Sequence, residues 1–322
     1  MRLQRLLPLL TLCSLSACGG GEGPSAPSKI PTHTFAIVAF FDENQNGVQD
    51  AQESVRLPNV QVTIAGVNGK TDTGGRATLT VPEGQQTLNV VTESLPPYFS
   101  AAPVPLTVPP VGDVRIPATL PLGGRVIRNK YMGFGDSLTF GTYEGALESQ
   151  LRAYFGTAQV VDEGLSGTRS DVGARRIADA LDYARPAYTL ILYGTNDWNE
   201  LACKDDRFPC YTIDSLRSMI REARAVGGLP VLATLPGVNV GFNEQAPPER
   251  EDWTKRVNEE IRKLARAENV VLADLHKAFT AAPNPRSLFL DYVHHSREGQ
   301  NLLAQEFFKA ITQRQPTTAS IR

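Results

Sequence analysis

Hydrophobic and polar positions follow two different rhythms along this chain. Between residues 31 and 118 they mostly alternate. Val60-Gln61-Val62-Thr63-Ile64 and Ala77-Thr78-Leu79-Thr80-Val81 have a period of two, Thr34 to Phe41 is an apolar β-prone run, and Leu88-Asn89-Val90-Val91 is a further short segment. A period of two sends successive side chains to opposite faces, so each segment predicts a half-buried strand. Asn68-Gly69, Gly74-Gly75 and Pro82-Glu83-Gly84 separate the segments as predicted turns. Short strands at this spacing predict a small all-β sandwich. Residues 96 to 124 are rich in Pro and Gly and predict a last strand and a stiff connection.

From Arg128 onward, short apolar runs alternate with longer amphipathic ones. Strands are predicted at Tyr131 to Phe134, Gln159 to Val161, Thr189 to Tyr193, Pro230 to Thr234 and Val270 to Leu272. Helical spacing links Leu147, Leu151 and Tyr154, then Leu216, Ile220 and Ala223, then Trp253, Val257, Ile261 and Leu264. A last helix is predicted from Arg297 to Thr312. Strand–helix alternation implies an α/β domain, a five-stranded parallel sheet between two helical layers. Ligands bind such sheets beyond the carboxyl ends of the strands.

The first residues follow neither rhythm. Arg2 and Arg5 precede an apolar run from Leu6 to Leu15. That run is shorter than the ~20 residues that span a bilayer. It ends in Leu15-Ser16-Ala17-Cys18, which resembles the lipobox of bacterial lipoproteins. The resemblance implies a removed signal peptide (1–17) and a lipid on Cys18, so the membrane is an expected partner. Gly19 follows in place of the Asp of inner-membrane retention, which favours the outer membrane of a cell with two. The expected location is the cell envelope. Residues 18–30 read as a flexible tether, 31–120 as the β module and 121–322 as the α/β domain.

Composition adds exclusions. Hydrophobic residues are 41 % and charged residues 20 %, as in ordinary globular proteins, and the formal net charge is −2. A chain with no basic excess and no nucleic-acid motif predicts no nucleic-acid partner. Beyond Cys13 and Cys18, the remaining cysteines are Cys203 and Cys210. Their spacing matches no zinc site, and export predicts a disulfide between them.

Four short motifs fall at predicted strand ends: Gly135-Asp136-Ser137-Leu138, Gly164-Leu165-Ser166-Gly167, Gly194-Thr195-Asn196-Asp197 and Asp291-Tyr292-Val293-His294. Ser137 is a candidate nucleophile, a role that needs a base to take its proton. The chain has four histidines, and His294 and His295 compete for that role. Asp291 can orient an imidazole and stabilise its charged form. Glycine at 135 is expected to permit a sharp turn into the nucleophile.

In this order, the motifs make residues 128 to 314 similar to GDSL-type hydrolases of the SGNH superfamily. The resemblance selects His294 as base, because the family places His three residues after Asp. It assigns the oxyanion donors to the backbone N–H of Ser137, the backbone N–H of Gly167 and the amide of Asn196. The implied activity is hydrolysis of acyl or acetyl esters, lipid-type or carbohydrate-linked, without a catalytic cofactor. Trp198, Phe208 and Phe242, on loops after the third and fourth strands, are candidate contacts for an acyl chain or sugar. Rival expectations are a surface-binding lipoprotein with an inactive hydrolase domain, and an acyltransferase sharing the first half-reaction.

The β module resembles the B repeats of bacterial surface adhesins and carboxypeptidase-regulatory-like domains. Within it, residues 42 to 53 have the spacing of a twelve-residue calcium loop. Asp42, Asn44, Asn46, Asp50 and Glu53 would supply side-chain oxygens and Val48 a carbonyl, for a structural Ca²⁺.

Overall fold

Eight strands come first: β1 (Thr32–Phe41), β2 (Gln61–Ile64), β3 (Val67–Lys70), β4 (Arg76–Pro82), β5 (Gly84–Val90), β6 (Ser100–Ala101), β7 (Val104–Val108) and β8 (Val114–Thr119). They belong to a computed structural model that describes residues 29–204, 208 and 210–314. Two four-stranded sheets result, ordered β4-β1-β8-β6 and β3-β2-β5-β7. Ala77, Leu79 and Val81 of β4, Val62 and Ile64 of β2, and Ile116 and Ala118 of β8 are all buried. Alternation thus directs one face of each sheet inward, and each large apolar side chain buried contributes about 1.5–3 kcal/mol.

Asn68-Gly69 is not a turn, as its composition suggested, but lies within β3. The chain reverses instead at Ala65 and Gly66, with φ of 48° and 80°. Two successive positive φ angles match the twist of a tight hairpin. β1 runs antiparallel to β4 and parallel to β8. The parallel pairing joins segments far apart in sequence and has no local signal.

The second part alternates strictly. It comprises β9 (Ile127–Gly135), α1 (Glu144–Phe155), β10 (Gln159–Gly164), α2 (Ser170–Ala184), β11 (Pro186–Leu192), α3 (Leu201–Lys204), α4 (Thr212–Ala225), β12 (Leu229–Ala233), α5 (Pro248–Ala267), β13 (Val271–Ala273), α6 (Leu275–Thr280) and α7 (Arg297–Thr312). The strands form one parallel five-stranded sheet, ordered β10-β9-β11-β12-β13. Every residue of β11 is buried. Right-handed crossovers move leftward only between β9 and β10. They therefore put α1 on one face and α2, α4 and α5 on the other. α7 packs against α1, and α2 against α4, as that rule requires. The strand order reverses beside β9, so a crevice opens at the carboxyl ends of β9, β10 and β11.

The two parts touch through specific bonds. Tyr98 donates its hydroxyl to the Pro230 carbonyl at 2.7 Å, and Arg314 donates to the carbonyls of Leu95 and Phe99 at 3.1 and 2.6 Å. The described residues from Thr32 to Arg314 belong to one compact unit. No described helix is long and apolar enough to cross a membrane.

Candidate active site

Ser137 lies two residues beyond the end of β9, at the mouth of the crevice. The reason for Gly135 differs from the expected sharp turn, since its φ is not positive. A Cβ there would lie 2.0 Å from Thr139 Oγ1 and 2.5 Å from the Leu192 carbonyl. Glycine is required by close approach of the Ser137 loop to β11. Asp136 is fully buried, and its Oδ1 accepts from the Leu138 N–H at 2.9 Å. The Asp136 carboxylate therefore shapes the loop from below while Ser137 faces the crevice.

His294 Nε2 stands 3.0 Å from Ser137 Oγ, across 157 residues of sequence. Its Nδ1 stands 2.8 Å from Asp291 Oδ2. The other Asp291 oxygen accepts from the N–H groups of Val293 and His294 at 2.8 and 2.7 Å. That three-residue loop fixes the carboxylate, which in turn fixes the imidazole. Partial burial would raise the Asp291 carboxyl, but those two amides and the His294 imidazole outweigh it and hold it below the usual value. A carboxylate kept ionised beside the ring favours Nδ1 as the protonated nitrogen and leaves Nε2 free to accept.

Asn196 sits in the 3₁₀ turn Thr195–Asn199 after β11, and Gly167 follows β10. Asn196 Nδ2 donates to the Thr168 carbonyl at 2.9 Å. A primary amide has two N–H donors, so this bond anchors the group while the second remains available. Gly167 has φ of 75°, and no atom lies within 4 Å of where its Cβ would be. Its backbone borders open space.

The residues around these three differ in what they touch. Asp197 is structural: buried, it accepts from Ser170 N–H, Ser170 Oγ and Thr212 Oγ1. His295 is buried between Phe279 and Phe289, with ring centroids at 4.8 and 5.4 Å. Burial, and to a lesser extent His294, press it down to about 3, so it stays neutral. Trp198 packs on Trp253 with centroids 5.9 Å apart, and Phe208 lies under Arg256 at 4.0 Å, whereas Phe242 is exposed. Cys203 and Cys210 are joined by a disulfide. Cys18 lies outside the described residues.

In the acidic loop, side chains turn to amides of the loop itself. Asp42 accepts from the N–H groups of Asn46 and Gly47, and Glu53 from those of Glu43, Asn44 and Asp50. Asn44 and Asn46 donate their side-chain amides to Asp50 at 2.7 and 3.0 Å. Among the described residues, no three His, Cys, Asp or Glu side chains converge as a metal group. Nevertheless the donor set is all oxygen, of the kind a hard cation takes.

Sequence reasoning missed Arg176 of α2. It donates to Gly135 O at 3.1 Å, to Glu163 O and to Tyr193 Oη at 3.0 Å, and its guanidinium lies 4.2 Å from the Phe134 ring centroid. One side chain thus fastens the ends of the strands that carry Ser137 and the Gly167 loop. No local pattern distinguishes it from its neighbour Arg175.

Asp136 provides a pH test. Burial, reinforced by Asp197, raises it to about 7, against the opposing Leu138 N–H. Between its ordinary value and about 7, the unfolded chain has lost this proton while the folded one keeps it. Stability then falls as pH rises through that window and levels off above it. Asp136→Asn removes the ionisation and keeps an acceptor for Leu138. The melting-temperature difference, variant minus wild type, is expected to grow from pH 4 to 7 and then stay constant. A difference independent of pH contradicts the assigned burial effect.

The sequence pattern of the GDSL-like Lipase/Acylhydrolase family matches residues 134–302. Among solved structures, a lipase/acylhydrolase from Enterococcus faecalis is 23 % identical, covers 59 % of this chain and 100 % of its own, and has a TM-score of 0.50. Axe2, an acetylxylan esterase from Geobacillus stearothermophilus, is 22 % identical, with coverages of 59 % and 96 % and a TM-score of 0.48. A GDSL-like lipase from Bacteroides thetaiotaomicron is 19 % identical, with coverages of 57 % and 87 % and a TM-score of 0.47. No curated protein matches the chain. At these identities the structural likeness speaks to the fold of the α/β part alone.

Proposed function

The chain belongs to the GDSL-like lipase/acylhydrolase family and is an ester hydrolase; we propose that Ser137 is its nucleophile, His294 its general base and Asp291 the group that orients the base. The observation carrying this reading is the hydrogen-bonded row from Asp291 Oδ2 through the imidazole to Ser137 Oγ, with steps of 2.8 and 3.0 Å. Ser137 Oγ bonds to the ester carbonyl carbon while His294 Nε2 takes its proton. Charge developing on the carbonyl oxygen is met by the N–H groups of Ser137 and Gly167 and by the free amide N–H of Asn196. The carbon–oxygen bond to the alcohol then breaks, and His294 returns the proton to it. Water, deprotonated by the same imidazole, hydrolyses the acyl-enzyme and restores Ser137. No step calls on a metal or organic cofactor.

For the substrate we propose an acyl or acetyl ester with an apolar portion. Phe140, Leu165 and Leu290 are exposed large hydrophobics within three residues of Ser137, Gly167 and Asp291, respectively. Exposed Phe242 belongs to the loop whose Asn239 N–H bonds to the Tyr292 carbonyl at 2.9 Å. Exposed apolar side chains next in sequence to each part of a polar centre suit an ester with hydrocarbon on it. The test is a panel of p-nitrophenyl esters from two to twelve carbons beside acetylated xylo-oligosaccharides. Turnover rising with chain length over the first several carbons supports the reading. Activity confined to acetylated sugar removes the apolar part of it.

The remaining proposals concern placement. The N-terminal features support export and lipid attachment at Cys18, with the β module between the tether and the hydrolase. Cys18→Ser, expressed in a bacterial host, is expected to release the protein from the membrane fraction. The loop 42–53 is proposed to take up calcium by turning Asp42, Asp50 and Glu53 from amide donors to one ion. Calorimetric titration of the whole protein is expected to give one site, weakened by Asp42→Asn, and no heat of binding removes this proposal.

A further inference from the structure

We propose that Arg250, seconded by Glu251, is a positioning residue that fixes the oxyanion side of the site against its base side. The inference rests on the roles given above to Ser137, His294 and Asn196.

The first observation is that Arg250 occupies a position that local physics disfavours. It lies in the first turn of α5, where the helix dipole repels a cation, and that turn otherwise carries Glu249 and Glu251. It is also 3 % exposed. Burying a guanidinium is unfavourable unless its donors are all used. Among the described residues no carboxylate makes an ion pair with it. Burial lowers its proton affinity, and Tyr292 and Asp136 act the other way. Neither helix stability nor salt bridging accounts for an arginine here.

Its contacts do. Arg250 Nη2 donates to the Thr195 carbonyl at 3.3 Å, and Thr195 immediately precedes Asn196. Its guanidinium carbon lies 5.1 Å from the centroid of the Tyr292 ring, between Asp291 and His294 in the chain. Nη1 donates to Gln245 O at 3.0 Å, in the loop that leads into α5. One rigid fork therefore touches the donor loop, the base loop and the loop leading into α5.

Glu251 extends the brace. Its Oε2 accepts from the Val238 N–H at 3.1 Å, and its Oε1 meets His276 Nε2 at 3.0 Å. The next residue, Asn239, donates its backbone N–H to Tyr292 O at 2.9 Å and its amide to Asp291 O at 3.3 Å. Two adjacent residues on one helical turn thus hold the loop of Asn196 and the loop of His294 at a set separation. The catalytic geometry needs that separation to well under an ångström, because misplacement by about 1 Å costs about a hundredfold in rate.

The experiment compares wild type, Arg250→Met, Arg250→Lys and Glu251→Gln. A fluorophosphonate titrates active serines, and kcat is expressed per titrated site, with KM measured on a short soluble ester. For Arg250→Met the expected result is a fall in kcat per site of about tenfold or more. KM should stay within about threefold, because the lost interaction serves the transition state. Arg250→Lys keeps the charge and loses the fork, so a fall of about fivefold is expected even if the methionine variant does not fold. Glu251→Gln should lose less than either. An unchanged kcat per site in a folded variant overturns the proposal. So does a defect seen only in KM, or only in the number of titratable sites. A wild type that does not label at all would instead count against the nucleophile assignment.

Discussion

Ser137→Ala is expected to lower ester turnover by about 10⁴-fold or more while leaving the melting temperature nearly unchanged. The hydroxyl forms the new bond to the acyl carbon, and no neighbouring group can replace it. Ser166 belongs to a separate loop after β10, and His294 Nε2 meets Ser137. Structure should survive, because Ser137 supplies no cap or core contact; the loop is held by Asp136 Oδ1 on Leu138 N–H and by Arg176 on Gly135 O. Steady-state hydrolysis of p-nitrophenyl butyrate and a thermal melt on one sample decide the matter. Retention of more than about a hundredth of wild-type turnover would count against the assignment.

Asp291→Asn is the second large effect, expected at about 10³–10⁴-fold in kcat by analogy with other serine hydrolases. The argument follows from the two roles of the carboxylate. Oδ1 accepts two backbone N–H groups and Oδ2 faces His294 Nδ1. An asparagine that keeps its oxygen toward the backbone must point its NH₂ at Nδ1. The imidazole then accepts at Nδ1 and carries its proton on Nε2, where it cannot take the serine proton. Flipping the amide restores the tautomer but sets NH₂ against two N–H groups, which is worse. Asp291→Glu would test position instead, since the longer side chain keeps the charge but loses the short loop geometry. A pH–rate profile checks the account: the Asp291→Asn variant should not recover wild-type kcat at any pH. A wild-type plateau merely shifted to lower pH would mean that the carboxylate acts only through its charge, by raising the proton affinity of the imidazole.

The legibility of this chain follows its physics unevenly. The five strands of the parallel sheet were visible because each is a short apolar run between longer amphipathic ones. The helix predicted from Arg297 to Thr312 coincides with α7. α2 was not visible: its buried face is made of Ser170, Gly173, Ile177, Ala180, Leu181 and Ala184, whose small side chains give little hydrophobic contrast. β7 and β8 were blurred because Pro105 and Pro117 lie inside them. Pro117 is tolerated because β6 pairs only with Ala118 and Thr119, beyond it. The prediction of a turn at Asn68-Gly69 failed because the turn-forming Ala65-Gly66 lies one hairpin position earlier.

For the site, motifs bring chemistry into view but not its supports. Ser137, Asp291 and His294 could be named from residue type and order, and the fold brings them into one hydrogen-bonded row. Arg176, Asn239, Arg250 and Glu251 could not. Each acts through a carbonyl, an amide or a ring on a loop distant in sequence, and nothing in its immediate neighbours marks it. His276 was read as a surface or helix-start residue; it does begin a helix, but it is nearly buried and meets Glu251. Hydrogen-bonded contacts between distant elements leave no periodic trace in a sequence.

The most direct measurement is reaction of the purified protein with a fluorophosphonate, followed by intact mass and peptide mapping. One adduct per chain on Ser137, forming in step with loss of esterase activity, is the result expected from a hydroxyl activated by His294. Full loss of activity with the adduct on another residue, or an active enzyme that takes up no adduct, would contradict it.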